Sequence, residues 1–148
     1  MLHLKDIMTR EVKTLPRDTT IRDALKALAD AHLSGAPVIA DGKVCGIISV
    51  ADIVGVIATS SDSSAEQKKT VGEVMTGRVH SLPSEAPIRN AATMMREKSI
   101  HRVLVIDDGK LVGVVSALDV ARAVSDVGVG NVHVIDPDKD DSSPWITI

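Results

Sequence analysis

Two stretches of the sequence end an apolar run with a serine and place a carboxylate three residues further on. They are Gly46-Ile47-Ile48-Ser49-Val50-Ala51-Asp52 and Gly113-Val114-Val115-Ser116-Ala117-Leu118-Asp119. The β-branched residues before each serine and the helical spacing after it put both serines at strand-to-helix junctions. The same atoms support two roles. As a capping box, the serine hydroxyl holds a free backbone N–H, and the acidic side chain bonds back while favouring the positive helix end. As a ligand site, the hydroxyl and unpaired N–H groups hold phosphate, and the carboxylate one turn along accepts two ribose hydroxyls. The spacing does not separate these readings, and S-x-x-[DE] caps are common.

The two junctions are part of a larger duplication. At an offset of 67 residues, positions 6–58 overlay 73–125 without a gap, and sixteen of these 53 positions are identical, so two copies of one unit are present. Within each copy the apolar period changes in a fixed order. Val12–Leu15 reads as a short strand that stops at Pro16, and Ile21, Ala24, Leu25, Leu28 and Ala29 form a helical stripe, repeated by Ile88, Ala91, Ala92 and Met95. Two β-branched runs follow, split by Asp41-Gly42 or by Asp108-Gly109, a strong hairpin signal. A second helix begins near Ser49 or Ser116.

This order predicts an α+β fold of two strand-helix-hairpin-helix repeats, residues 1–58 and 71–125, joined by a Ser-rich linker over 59–70 and followed by an acidic tail over 126–148. A unit of about 55 residues buries too little surface to stand comfortably alone. The copies are therefore expected to pack sheet to sheet around one core with pseudo-twofold symmetry. That packing leaves related clefts at their junction, where small-molecule sites are favoured.

Composition narrows the function. Phe and Tyr are absent and Trp145 is the only aromatic, which excludes aromatic platforms for base stacking. The 17 Lys and Arg face 20 Asp and Glu, and the tail alone carries the imbalance through Asp136, Asp138, Asp140 and Asp141 against Lys139. The body is neutral, so no nucleic-acid partner is expected. Val44–Ala58, the most apolar segment, is interrupted by Gly46, Ser49, Asp52 and Gly55 and is shorter than the ~18 residues of a membrane helix. No membrane insertion and no export signal are expected. Cys45 inside an apolar run reads as a small buried thiol, which suits a cytoplasmic location. The histidines lack zinc-site spacing, and Asp136-Pro137-Asp138-Lys139-Asp140 departs from a calcium loop where Gly and Glu are required, so no metal site is expected.

The duplicated unit resembles the cystathionine β-synthase (CBS) domain, which occurs as tandem pairs termed Bateman modules, over residues 4–125. The resemblance rests on Asp6-Ile7-Met8-Thr9 and Glu73-Val74-Met75-Thr76, on Thr14-Leu15-Pro16 and Ser81-Leu82-Pro83, and on the hairpins and the two serine-aspartate junctions. It implies that Asp52 and Asp119 bind ribose and that Ser49 and Ser116 approach phosphate. It also implies that the backbone of Val12, Lys13 and Thr14, and of Val79, His80 and Ser81, meets an adenine edge. Aliphatic side chains sandwich the base in this family, so the missing aromatics are no objection.

The copies differ in charge. His101 and Arg102 align with Ser34 and Gly35, so only the second copy supplies cations there. The pair resembles the phosphate-contacting His-Arg of the adenylate-sensing subunit of AMP-activated protein kinase, and it suggests two sites of unequal affinity. The alternatives are an Arg102 that caps a helix end or pairs with a carboxylate, and a His101 that is merely a solvated edge residue.

The resulting expectation is a non-catalytic regulatory module. It needs no cofactor, senses AMP, ADP, ATP or S-adenosylmethionine in the inter-repeat cleft, forms a homodimer through its helical faces and signals to a separate effector protein. The rival readings are a structural or interaction protein with no ligand, and a nucleotide hydrolase using Asp52 or Asp119. The hydrolase lacks a second carboxylate or metal set beside either junction.

Overall fold

Two three-stranded sheets, each flanked by helices, build the residues 1–60 and 68–126 that the computed structural model describes. The elements are α1 (Leu4–Ile7), β1 (Leu15–Pro16), α2 (Ile21–Asp30), β2 (Gly35–Ala40), β3 (Lys43–Ser49) and α3 (Val50–Thr59), then α4 (Val71–Val74), β4 (Ser81–Leu82), α5 (Ile88–Lys98), β5 (Arg102–Asp107), β6 (Lys110–Ser116) and α6 (Ala117–Asp126). Strand order is β1-β2-β3 in one sheet and β4-β5-β6 in the other, with the first pair parallel and the second antiparallel in each. The α+β two-repeat fold expected from the sequence is what forms.

Local chemistry accounts for most of these elements. Thr20 caps α2 by accepting the Asp23 N–H at 3.2 Å, and Ile21, Ala24 and Leu28 turn inward. Ala29 and Ala92, counted in the apolar stripes, are exposed. Both hairpins close on two residues of positive φ, Asp41 at 52° with Gly42 at 74° and Asp108 at 50° with Gly109 at 76°. This type I′ geometry matches the right-handed twist of the strands. A register shift falls at Val38/Ile39 and again at Val105/Ile106, the equivalent place in the second repeat.

The opening strand is not where the alternation puts it. β1 is Leu15–Pro16 and not Val12–Leu15, and Pro16 is accommodated because β1 is an edge strand. The residues before it are used differently. Thr9 bridges Val114 of β6, so residues 10–14 run from the second sheet to the first before β1 can pair with β2. Thr76 bridges Ile47 of β3 in the same way, and residues 77–80 return to the second sheet.

These crossings exchange the leading segment of each repeat. Leu4 is fully buried beside Ala91, Val103, Val105 and Val115, all from the second repeat. Its N–H donates to the Ala86 carbonyl at 2.9 Å, and the Thr9 and Val114 backbones bond each other at 2.9 and 3.0 Å. Val71 is likewise buried among Ile21, Leu28, Ile48 and Ile53 of the first repeat, with its N–H donated to the Thr19 carbonyl at 2.8 Å. Buried residues therefore form two clusters, each completed by the other half, where the sequence suggested one shared core. Burying one such side chain is worth about 1.5–3 kcal/mol. β3 and β6 also meet directly.

Of the expected linker, residues 61–67 lie outside the described residues, Thr59 is the last residue of α3, and Thr70 is the N-cap of α4 and bridges Thr20. The acidic tail from residue 127 onward also lies outside them.

Candidate functional site

Both serine-aspartate junctions form complete capping boxes. At the first, the Asp52 N–H donates to Ser49 Oγ at 3.0 Å and the Ser49 N–H donates to Asp52 Oδ2 at 3.0 Å. At the second, the Asp119 N–H donates to Ser116 Oγ at 3.1 Å, while the Ser116 N–H and hydroxyl donate to Asp119 Oδ2 at 2.7 and 2.8 Å. The capping role is thus observed at both. It engages only Oδ2 of each carboxylate, and Asp52 and Asp119 are half-buried. Oδ1 has no partner among the described residues.

The helix starts are partly occupied as well. The Val50 N–H donates to the Ser34 carbonyl at 2.8 Å, and the Ala117 N–H donates to the His101 carbonyl at 2.9 Å. With Asp52 N–H and Asp119 N–H engaged by the serines, one first-turn amide per helix, that of Ala51 or Leu118, has no partner among the described residues. An anion at the first junction would meet one amide and the Ser49 hydroxyl, whereas the Ser116 hydroxyl already donates to Asp119 and leaves one amide at the second, so a side-chain cation would matter to binding at either.

That cation crosses between the repeats. Arg102 Nη1 donates to Ser34 Oγ at 3.1 Å, although the two residues are 68 apart in sequence. Among the described residues Arg102 neither caps a helix end nor pairs with a carboxylate. His101 is exposed and lines a recess of about 430 Å³ with Met95, Arg96, Ser99, Ile100 and Ala117. A second recess, of about 490 Å³, lies at the outer edge of the first sheet around Arg17, Ile39 and Thr70. Neither reaches Asp52 or Asp119.

The six residues expected at an adenine edge lie on or beside the crossing segments. Val12 and Thr14 are half-buried and Lys13 is exposed. Val79 and His80 are half-buried, and Ser81 opens β4. The two segments differ in backbone bonding. The His80 carbonyl accepts the Leu104 N–H at 3.1 Å. Lys13 occupies the equivalent place, but the counterpart of Leu104 in the first repeat is Pro37, which has no N–H to give.

Sequence reasoning missed Ser34 as the partner of Arg102, and it missed two methionines. Met75 Sδ lies 2.5 Å from where a Cβ on Gly46 would stand, and Met8 Sδ lies 2.6 Å from the same point on Gly113. The glycine that opens each junction is thus fixed by the Met-Thr pair of the other half. Both features were in the offset alignment as repeated identities, without any sign that they touch. Among the described residues no group of three His, Cys, Asp or Glu is placed to hold a metal, and no helix is long and apolar enough to cross a membrane.

Comparison with known proteins bears on this arrangement. The family model for the CBS domain matches twice, at residues 4–59 and 71–126. Among solved structures, CBSX2 in complex with AMP is 26% identical, with a TM-score of 0.75 over 86% of this chain and 98% of that one. The CBS domain pair of protein MJ0100, in complex with 5′-methylthioadenosine and S-adenosyl-L-methionine, is 29% identical with a TM-score of 0.72 over 86% and 98%. Of the curated relatives, the CBS domain-containing protein YhcV of Bacillus subtilis is 26% identical over 90% of this chain and its own full length. The uncharacterized protein MJ1232 of Methanocaldococcus jannaschii is 30% identical over 86% of this chain, which spans only 41% of that protein.

Proposed function

The chain belongs to the CBS domain family as a tandem pair, and from that premise we propose that it is a non-catalytic regulatory module binding an adenine nucleotide or adenosyl compound between its repeats. The observation that carries this reading is the pair of junctions in which the capping box leaves one carboxylate oxygen of Asp52 and of Asp119 without a partner among the described residues. A ribose presents two hydroxyls as donors to such an oxygen, and Ser49 and Ser116 stand at the helix starts where a phosphate would approach. Solved relatives that carry AMP, or methylthioadenosine and S-adenosylmethionine, support the same class of ligand. The crossing segments, with Val12, Lys13, Thr14, Val79, His80 and Ser81, supply backbone groups for the base.

Signalling follows from the exchange of segments. The stretches that would face the base also tie each sheet to the other, so a ligand that prefers one setting of the crossings shifts the packing of the repeats. The receiver is a separate effector protein or another part of a longer chain. Homodimerisation is supported by two apolar helix faces. On α3, Val54 is 51% exposed beside exposed Ala51, Gly55 and Ala58, and on α6, Leu118 is 56% and Val124 44% exposed beside Ala121.

A thermal-shift panel of AMP, ADP, ATP, S-adenosylmethionine and NAD tests the reading. A true ligand at 100 times its dissociation constant adds ~2.7 kcal/mol of stability. The completeness of both capping boxes favours one other reading, an interaction protein without a ligand, for which the whole panel stays silent.

A further inference from the structure

We propose that the recess at the edge of the first sheet is a site for a free aliphatic amino acid, whose carboxylate is taken by Arg17 and whose ammonium group faces Asp18 and Asp41. The recess holds about 490 Å³ and reaches neither Asp52 nor Asp119, so the inference stands apart from the adenosyl reading. Its apolar wall is formed by Pro16, Ile39 and Ala40, and its charges are the guanidinium of Arg17 and the carboxylates of Asp18 and Asp41. None of these three side chains has a hydrogen-bond or ion-pair partner among the described residues, each other included. Opposite charges that share a recess without meeting are complementary to a ligand that carries both, whereas a purely anionic ligand would be repelled by the two carboxylates. The apolar wall adds a place for an uncharged side chain.

The second half shows what closes such a recess. At the offset of 67 residues, Ser84, Glu85 and Asp107 occupy the places of Arg17, Asp18 and Ala40, and Lys5 occupies that of Gly72. Lys5 Nζ lies 2.7 Å from Glu85 Oε1, and Asp107 Oδ1 accepts the Ser84 N–H at 2.9 Å. There the chain supplies its own carboxylate and its own ammonium group; the first half offers only the methyl group of Ala40 and a glycine. Arg17 is also held in advance. Its N–H donates to the Ile39 carbonyl and its carbonyl accepts the Gly72 N–H, both at 3.0 Å. Its Cγ and Nε lie 2.6 and 3.0 Å from where a Cβ on Gly72 would stand, so the missing side chain lets the arginine stem rest against the Gly72 backbone. An arginine held along its stem gives up little freedom on binding, and its planar fork matches a carboxylate.

Heteronuclear NMR titration of the full chain with leucine, isoleucine and valine tests this. At about 10 mM, at least one of the three should move the amide signals of Arg17, Asp18, Asp41 and Gly72. The amide of that amino acid, which lacks the carboxylate, and its N-acetyl derivative, which lacks the ammonium group, should each bind about tenfold more weakly. Arg17→Ala should abolish the shifts. Ala40→Asp, which restores the carboxylate of the second half, should weaken binding about tenfold while the spectrum stays that of a folded chain. The proposal is overturned by silence toward all three amino acids, by equal affinity for the blocked derivatives, or by unchanged binding in Arg17→Ala or in Ala40→Asp. Shifts centred on Asp52 or Asp119 also overturn it, because they place the amino acid in the inter-repeat cleft.

Discussion

Met8 stands where a side chain on Gly113 would have to be: its sulfur lies 2.6 Å from an ideal Cβ there, and the Thr9 carbonyl oxygen lies 3.0 Å away. Gly46 meets Met75 and Thr76 in the same way, at 2.5 and 2.8 Å. The lock is made twice, each time across the repeat boundary. Gly46→Ala and Gly113→Ala should each destabilise the chain by about 1–3 kcal/mol, because a methyl group overpacks against backbone that cannot move aside. Urea denaturation checks this, and an alanine accepted without loss at both sites would show that the methionines do not set the glycines.

Leu4 lies close to the N-terminus, where truncation is often tolerated. Here it fills the second repeat's interior, so Leu4→Ala should cost about 2–5 kcal/mol. Hydrogen exchange should locate the loss in β5, β6 and α5 and leave β2 and β3 largely protected.

Asp119→Ala removes both a helix cap and a proposed ribose acceptor. Loss of the cap predicts about 1 kcal/mol of destabilisation. Loss of ribose contacts predicts AMP binding weakened about tenfold or more. Affinity unchanged beside lowered stability would leave Asp119 with the capping role alone.

Asp107 receives hydrogen bonds from Ser84, and these hold its carboxyl below the usual carboxylate range, with the Ser84 N–H at 2.9 Å. The depressed value means that ionised Asp107 stabilises the fold above its unfolded pKa and ceases to do so as pH falls through the folded one. Asp107→Asn should thus be less stable than the unaltered chain at neutral pH, and the gap should close on acidification below about pH 4. Ala40 occupies the matching place in the first repeat, so the effect belongs to one half only.

If the exposed faces of α3 and α6 join two copies, Val54→Asp should convert a dimer to a monomer in sedimentation experiments without a change in far-ultraviolet circular dichroism. An unaltered mass would place the subunit contact elsewhere.

What the sequence shows of this fold is what nearest neighbours decide. Asp41-Gly42 and Asp108-Gly109 dictate their turns, and Ser49 and Ser116 cap their helices, because both depend on residues three or fewer apart. The expected strand Val12–Leu15 fails because its residues are committed to a crossing that only the other sheet explains, and Pro37 cannot bond to Lys13. The tether of Arg102 to Ser34 is invisible for the same reason: apolar period and spacing describe one repeat at a time, while this bond joins two.

Exchange of the leading segments has a consequence for the ancestry and handling of such chains. A single unit of this kind, cut free, would expose the groove that Leu4 or Val71 now fills and would carry a leader with nowhere of its own to dock. Its simplest remedy is a second molecule, each lending its leader to the other, so that the duplicated chain is a swapped dimer written as one polypeptide. Halves severed between residues 60 and 68 should accordingly be poorly folded apart and should recover their shape when mixed.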